Sequence, residues 1–305
     1  MKLAAIDIGS NAARLLITEA IIDKKNEPVF TKLNLVRVPL RLGFDVFEFG
    51  SIPKDKIGMI LQTMKAYKHL LNAYSVTHLV ACATSAMRDA RNAPDIIRKV
   101  KMETDISIEV ISGGREAGLV YENHIAENLD KEHSYMYIDV GGGSTELSIF
   151  SNGKLSFKES YNIGTIRLLK GMIGENEWDT IKENIKTATK FQKKVVAIGS
   201  GGNINKIFSL SKRKDGKPLP LELLRDFYKE LSNVNLEDRI TRYNLREDRA
   251  DVIVPALLIY INTMRWAGAE EIYVPKIGLV DGLIRHLWKK VKLGVEAGEW
   301  SLNGE

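Results

Sequence analysis

Apolar residues fall at strand-like spacing over residues 3–8, 13–19 and 28–39, with the turn-like stretch DKKNEP between the second and third. This pattern predicts three successive strands. From Pro53 the apolar positions Ile57, Ile60, Leu61, Met64, Tyr67 and Leu71 recur at helical spacing. A buried strand, THLVACA, follows. The next stretch is helical in two pieces, broken near Asn92 and Pro94. ISIEVI then predicts a strand, and a helix opens at GGREAGLVY.

The second half repeats this order. YMYIDVG, TELSIF and KLSFKESYN predict three strands, and a helical region from Thr165 to about Lys193 is interrupted near Gly174. KVVAIGS is a strand, GGNINKIFSLS a helix start, LELLRDFYKELSNV a helix, and REDRADVIVPALLIYINTMRWAG a helix with Pro255 inside it. EEIYVPK and GLVDGLIRHLWKKV close the series as strand and helix, with a frayed tail expected after Gly294. VPLRLGFDVFEFG, with Arg41 and three aromatics, reads as a packed loop.

The repeat is visible by register. IDIGSNAARLLI from Ile6 lies over IDVGGGSTELSI from Ile138 without a gap, so that Asp7 meets Asp139, Leu15 meets Leu147 and Ile17 meets Ile149. We read this as an internal duplication giving two α/β domains, each opening with a three-strand meander. The boundary is placed at 124/125, so the domains run 1–124 and 125–305.

Each copy is strand, tight turn, strand. Glycine at such a turn lets backbone N–H groups approach an anion without a Cβ in the way, and successive N–H groups form a nest for phosphate oxygens. DIGSN, with Ser10 and Asn11, and DVGGGST, with Gly142, Gly143, Ser144 and Thr145, both suit phosphate. A carboxylate beside a phosphate is repulsive unless a cation lies between them. Mg²⁺, or another divalent cation, resolves that conflict by binding one or two carboxylates together with phosphate oxygens and water. Asp139 is the first candidate ligand, with Glu146 seven residues on; Asp7 is the counterpart in the first copy.

Composition narrows the classes. The chain has 305 residues, 44% hydrophobic and 27% charged, as in ordinary globular domains. One cysteine, Cys82, excludes a disulfide framework within the chain, and the five histidines form no metal-binding spacing. A net charge of +5 favours an anionic ligand, but without a basic arm or aromatic ladder it does not point to nucleic acid. No apolar run is long enough to cross a membrane, and no leader cleavage pattern follows the N-terminus, so the expected location is the cytoplasm.

Five segments in order, AAIDIGSNAARLLI, ATSAMRDARN, EVISGGREAGLVY, YIDVGGGSTELSIF and AIGSGGNINKI, resemble the exopolyphosphatase / guanosine pentaphosphate phosphohydrolase family. The resemblance runs from about Leu3 to Leu287. It implies two actin-like (ribonuclease H-like) domains with the active site in the interdomain cleft, and a last helix from about residue 279 that packs back on the first domain. It implies hydrolysis of terminal phosphate from polyphosphate, or of the 5′-γ-phosphate of guanosine pentaphosphate. By the same resemblance Glu116 is the catalytic glutamate, Asp139 and Glu146 bind metal, and Arg88 contacts phosphate, as do the Ser10–Asn11 and Gly142–Thr145 loops. Arg41, Arg115, Gly201 and Gly202 are further site candidates.

The chain departs from the family pattern at Arg115, where a second glutamate is frequent, and at Ala12, Asn203 and Val280. It resembles the short, two-domain members, for which shorter polyphosphates are the expected substrates. A homodimer, a sugar-kinase-like phosphoryl transfer and a sensor that binds without turnover are alternatives the residues leave open.

Overall fold

The computed structural model describes residues 1–24, 27–121, 132–192 and 194–294. The chain forms two compact units: Met1–Ile111 together with the stretch from Leu279, and Ser112–Gly278. The boundary expected at 124/125, the tail after Gly294 and Lys193 lie outside the described residues. Among the described residues no helix is long and apolar enough to cross a membrane.

The first unit contains β1 (Lys2–Ile8), β2 (Ala13–Ile22), β3 (Pro28–Val38), α1 (Gly43–Phe49), α2 (Lys54–Ala73), β4 (His78–Ala83), α3 (Ser85–Asp89), α4 (Ala93–Thr104) and β5 (Glu109–Val110). Its sheet has the order β3-β2-β1-β4-β5, with β1, β2 and β3 antiparallel and β4 parallel to β1. Alternation along the strands sorts the faces. Ile6, Ile8, Ala13, Leu15 and Ile17 face a core completed by Ile60, Met64 and Tyr67 of α2 and Ile96 and Val100 of α4.

The second unit contains α5 (Gly113–Tyr121), β6 (Ser134–Val140), β7 (Thr145–Ser151), β8 (Lys154–Tyr161), α6 (Thr165–Leu169), α7 (Glu175–Thr189), β9 (Val195–Ser200), α8 (Gly202–Leu210), β10 (Leu219–Pro220), α9 (Leu221–Ser232), α10 (Leu236–Tyr243), α11 (Glu247–Ala250), α12 (Ile253–Ala267) and β11 (Glu271–Tyr273). Its sheet order, β10-β11-β9-β6-β7-β8, repeats the first sheet strand for strand and adds the short antiparallel edge β10. Ile138, Leu147 and Ile149 face a core filled by Ile181 and Ile185 of α7 and by Tyr260 and Met264 of α12.

The last helix, α13 (Leu279–Lys292), packs on β1, β2 and β4 and buries Leu283, Ile284 and Leu287. In the second unit α5 packs on β7 and β8. That packing places α5 with the second sheet, so the first unit already ends at Ile111. Both units are mixed α/β, each with a three-strand antiparallel meander, as the sequence predicts.

Local readings changed in four places. The stretch read as a loop around Phe44 is the helix α1, because Leu42 and Val46 bury one face and Gly50 caps it in the left-handed region at φ 71°. Pro255 does not sit inside a continuous helix: α11 and α12 are separate, and Pro255 occupies the first turn of α12, where its missing N–H costs nothing. The strand over ISIEVI shortens to Glu109–Val110. Helix α10 was not expected at all.

Candidate active site

The two Asp-x-Gly turns are built alike. Gly9 N–H donates to Ala12 O at 3.1 Å, and Gly141 N–H donates to Ser144 O at 2.9 Å, so each turn closes over four residues between paired strands. Each is gripped by the helix that follows the third strand. In the first unit Gly43 N–H and Arg41 N–H hold the carbonyls of Ser10 (2.8 Å) and Asn11 (2.9 Å). In the second, Thr165 N–H and Ile166 N–H hold those of Gly141 (3.0 Å) and Gly142 (2.8 Å), and Arg167 Nε holds Gly143 O at 2.8 Å. In a planar trans peptide the next N–H points opposite to the carbonyl. With three successive carbonyls drawn toward α6, the N–H groups of Gly142, Gly143 and Ser144 are turned to the other side, which is the arrangement of an anion nest.

This grip needs Gly164. A Cβ there would collide with the Gly142 carbonyl and the Gly143 backbone, so only glycine lets the β8–α6 connection lie against the turn. Thr145 belongs to the same anchor. It is fully buried, and its hydroxyl donates to Ile163 O at 2.5 Å. Ser10 is likewise buried, with its Oγ 2.7 Å from Ser85 Oγ at the start of α3. Arg41 adopts φ 55° and lays its guanidinium over the Phe44 ring at 4.0 Å. Arg88, in the last turn of α3, donates from Nη1 to Ile111 O at 2.7 Å.

The aspartates stand at the ends of β1 and β6, and their cross-strand partners differ. Asp7 faces Arg14, while Asp139 faces Glu146. Arg14 Nη1 donates to Asp7 Oδ2 at 2.8 Å. Burial pushes the Asp7 carboxyl above its ordinary range, and the Arg14 charge opposes that shift. Among the described residues Asp7 Oδ1 has no hydrogen-bond donor.

In the second unit two carboxylates project from opposed positions onto one face of the sheet. Ser160 Oγ donates to Glu146 Oε1 at 2.9 Å. The start of α5 lies over this pair: the Cβ direction of Gly113 runs into Ser160 and comes within 3.8 Å of Glu146 Oε1. Glu116 is three residues on, hence on the same helix face one turn along, and is buried. The second unit therefore opposes Asp139 and Glu146 beside the Gly141–Ser144 turn, with α5, which carries Glu116, packed on the same sheet. Arg115 is partly exposed, with its N–H 3.3 Å from Ser112 Oγ. Gly201 lies against Asp139, its ideal Cβ 3.3 Å from Oδ1, and Gly202 opens α8. Tyr260 donates its hydroxyl to Ser200 O next to Gly201, and the Asp139 charge adds to burial in raising the phenol well above its ordinary value.

Among the described residues no three His, Cys, Asp or Glu side chains converge to hold a metal alone. Two opposed carboxylates beside a phosphate nest nevertheless suit a hard cation that completes its shell with phosphate oxygens and water. The residues therefore fit the expected Mg²⁺ at Asp139 and Glu146. They do not ask for a cation at Asp7, which Arg14 already compensates. Sequence reading missed Arg14, Ser85, Ser160, Gly164, Arg167 and Tyr260. Only Arg14 carried a signal, since the repeat register sets it against Glu146.

The Ppx/GppA phosphatase family matches residues 21–291. The chain belongs to that family. It is 30% identical over 298 residues to the bifunctional 3-dehydroquinate synthase/phosphatase of Fusobacterium nucleatum, covering 89% of this chain and 44% of that protein. It thus spans less than half the length of that relative. To exopolyphosphatase 1 of Mycobacterium tuberculosis it is 23% identical over 304 residues, covering 93% of this chain and 87% of that protein. The crystal structure of the Aquifex aeolicus member of the Ppx/GppA family superimposes with a TM-score of 0.76 at 25% identity, over 97% of this chain and 99% of that one. As a Ppx/GppA member, the chain carries the turns and carboxylates described above in a phosphatase fold.

Proposed function

We propose that this Ppx/GppA protein is a divalent-cation-dependent exopolyphosphatase that releases terminal phosphate from inorganic polyphosphate. The observation that carries the reading is the register of β6 and β7, which opposes Asp139 and Glu146 under the Gly141–Ser144 turn. The similarity to a mycobacterial exopolyphosphatase supports the choice of substrate.

In this reading Asp139 and Glu146 hold the cation, which supplies charge neutralisation at the phosphate oxygens. The N–H groups of Gly142, Gly143 and Ser144 bind the terminal phosphoryl group; the first unit's own turn at Ser10 and Asn11, and Arg88, also suit phosphate. Glu116 orients a water molecule and takes its proton as the new P–O bond forms. The anhydride P–O bond breaks, and the shortened chain leaves with the electron pair. Because such transfers depend on positioning and charge more than on covalent help, most of the rate belongs to the turn and the cation.

Phosphate release from polyphosphate, guanosine pentaphosphate and ATP tests the reading, with Glu116→Gln as control. Faster release from polyphosphate, and a kcat about 10²–10⁴-fold lower for Glu116→Gln, are expected. Preference for guanosine pentaphosphate would change the substrate. Binding of polyphosphate without release would make the protein a sensor.

A further inference from the structure

The segment SKRKDGK, Ser211–Lys217, carries four cations and one aspartate and was not absorbed by the site above. Lys212, Arg213, Lys214 and Lys217 are all exposed. The loop is shaped: Arg213 Nη1 donates to Pro218 O at 3.0 Å, Lys217 N–H donates to Lys214 O at 3.1 Å, and Asp215 is paired with Lys276 at 2.6 Å.

Its place follows from the sheet. β6, β9 and β11 are parallel, so their C-terminal ends, with Asp139 and Ser200, lie on one edge. β10 runs antiparallel to β11, so the loop that enters β10 arrives at that same edge. Lys276 follows β11 there, one residue before Ile277, whose carbonyl accepts from Ser200 Oγ at 3.3 Å. Three strand spacings separate β10 from β6, about 15 Å. The loop is therefore a cationic ledge on the edge that carries Asp139, three strands away, with its single anion already neutralised by Lys276.

We infer that this ledge binds the non-reacting part of a long polyphosphate chain while the terminal phosphate occupies the Asp139 site. The inference rests on the proposed exopolyphosphatase reading and extends it to chain length: the ledge favours long chains over short ones, contrary to the expectation drawn from the two-domain resemblance. The chemistry recognised is a flexible, densely charged polyanion. Lysines on a loop match its repeating charge without demanding one geometry, and such binding weakens steeply with salt.

The test compares the wild-type chain with a variant carrying Lys212→Ala, Arg213→Ala, Lys214→Ala and Lys217→Ala, using tripolyphosphate and long-chain polyphosphate. Tripolyphosphate is too short to bridge about 15 Å. The expected result is a KM for long chains raised by about tenfold or more, with a flatter salt dependence. KM for tripolyphosphate and kcat on both substrates stay unchanged. A second variant, Lys212→Arg, Lys214→Arg and Lys217→Arg, keeps the charge and the wild-type KM, which separates charge from loop shape. An unchanged KM for long chains in the alanine variant overturns the inference, as does an equal rise for both substrates. If the wild-type protein releases phosphate from neither substrate, the exopolyphosphatase reading itself fails, and the inference with it.

Discussion

Arg14 and Glu146 occupy the same position in the two copies of one supersecondary unit, each directly opposite the aspartate that ends the first strand. Duplication delivered two equal scaffolds, and one change of charge at this position separates their chemistry. In the first copy the aspartate is neutralised within the protein. In the second, two carboxylates face each other, and their mutual repulsion is what a bound divalent cation would relieve. Glu146→Gln is expected to raise the half-saturating Mg²⁺ concentration by about 10–100-fold, by analogy with other losses at metal sites. The melting temperature should hardly move. Magnesium titrations of activity, with isothermal titration calorimetry as a readout independent of turnover, check this.

The complementary change acts on stability. Arg14→Ala leaves the buried Asp7 carboxylate without its cation, at a cost of about 1–3 kcal/mol near neutral pH. The sign of the pH dependence follows from Asp7. Its folded value is raised by burial, so its contribution to stability is present in acid and is lost as pH rises through the folded value. Removing Arg14 raises that value further. The deficit of Arg14→Ala should therefore grow from acid to neutral pH and shrink again in the double variant with Asp7→Asn. Urea unfolding at several pH values measures it. A deficit independent of pH would show that Arg14 acts through packing alone.

Much of this was legible in the chain. The ungapped repeat from Ile6 over Ile138 predicted the two meanders, the equal turns and the paired aspartates, because strand alternation and turn glycines are local signals. What escaped depends on contacts between distant segments. The grip of α6 on the glycine turn needs Gly164 and Arg167, whose roles appear only when the third strand returns to the turn. Helix α10 escaped because it is short and rich in charge: none of its residues is fully buried, and only Ile240 and Tyr243 pack against the core; Asn235 caps it by accepting from Asp238 N–H at 2.8 Å. The charge of SKRKDGK is plain in the sequence, but its position follows only from the pairing of β10 with β11.

The anchoring role of Thr145 makes a prediction that separates structure from catalysis. Thr145→Val removes the donor to Ile163 O inside the core and leaves a buried carbonyl unsatisfied. The expected cost is about 1–3 kcal/mol of stability. Thr145→Ser retains the hydroxyl and should recover most of it. If the threonine hydroxyl instead served the substrate, kcat would fall in Thr145→Val while the unfolding midpoint stayed in place.

Gly164 tests the turn itself. Gly164→Ala drives a methyl group into the Gly142 carbonyl and the Gly143 backbone, atoms that cannot rotate away as a side-chain end would. Either the β8–α6 connection lifts, releasing the carbonyls of Gly141 and Gly142 from α6, or the turn is pushed out of shape. In both cases the N–H groups of Gly142, Gly143 and Ser144 lose their common direction. Overpacking of this kind costs about 1–3 kcal/mol, so the variant should still fold. Its activity should fall far more than its stability, because nest geometry is set by a few peptide planes. The expected signature is a kcat/KM lowered by about 10²-fold, the size seen when one preorganised donor is lost, with weaker binding of inorganic phosphate as a product inhibitor. Equal phosphate inhibition in wild type and Gly164→Ala would mean that the turn amides do not bind the anion.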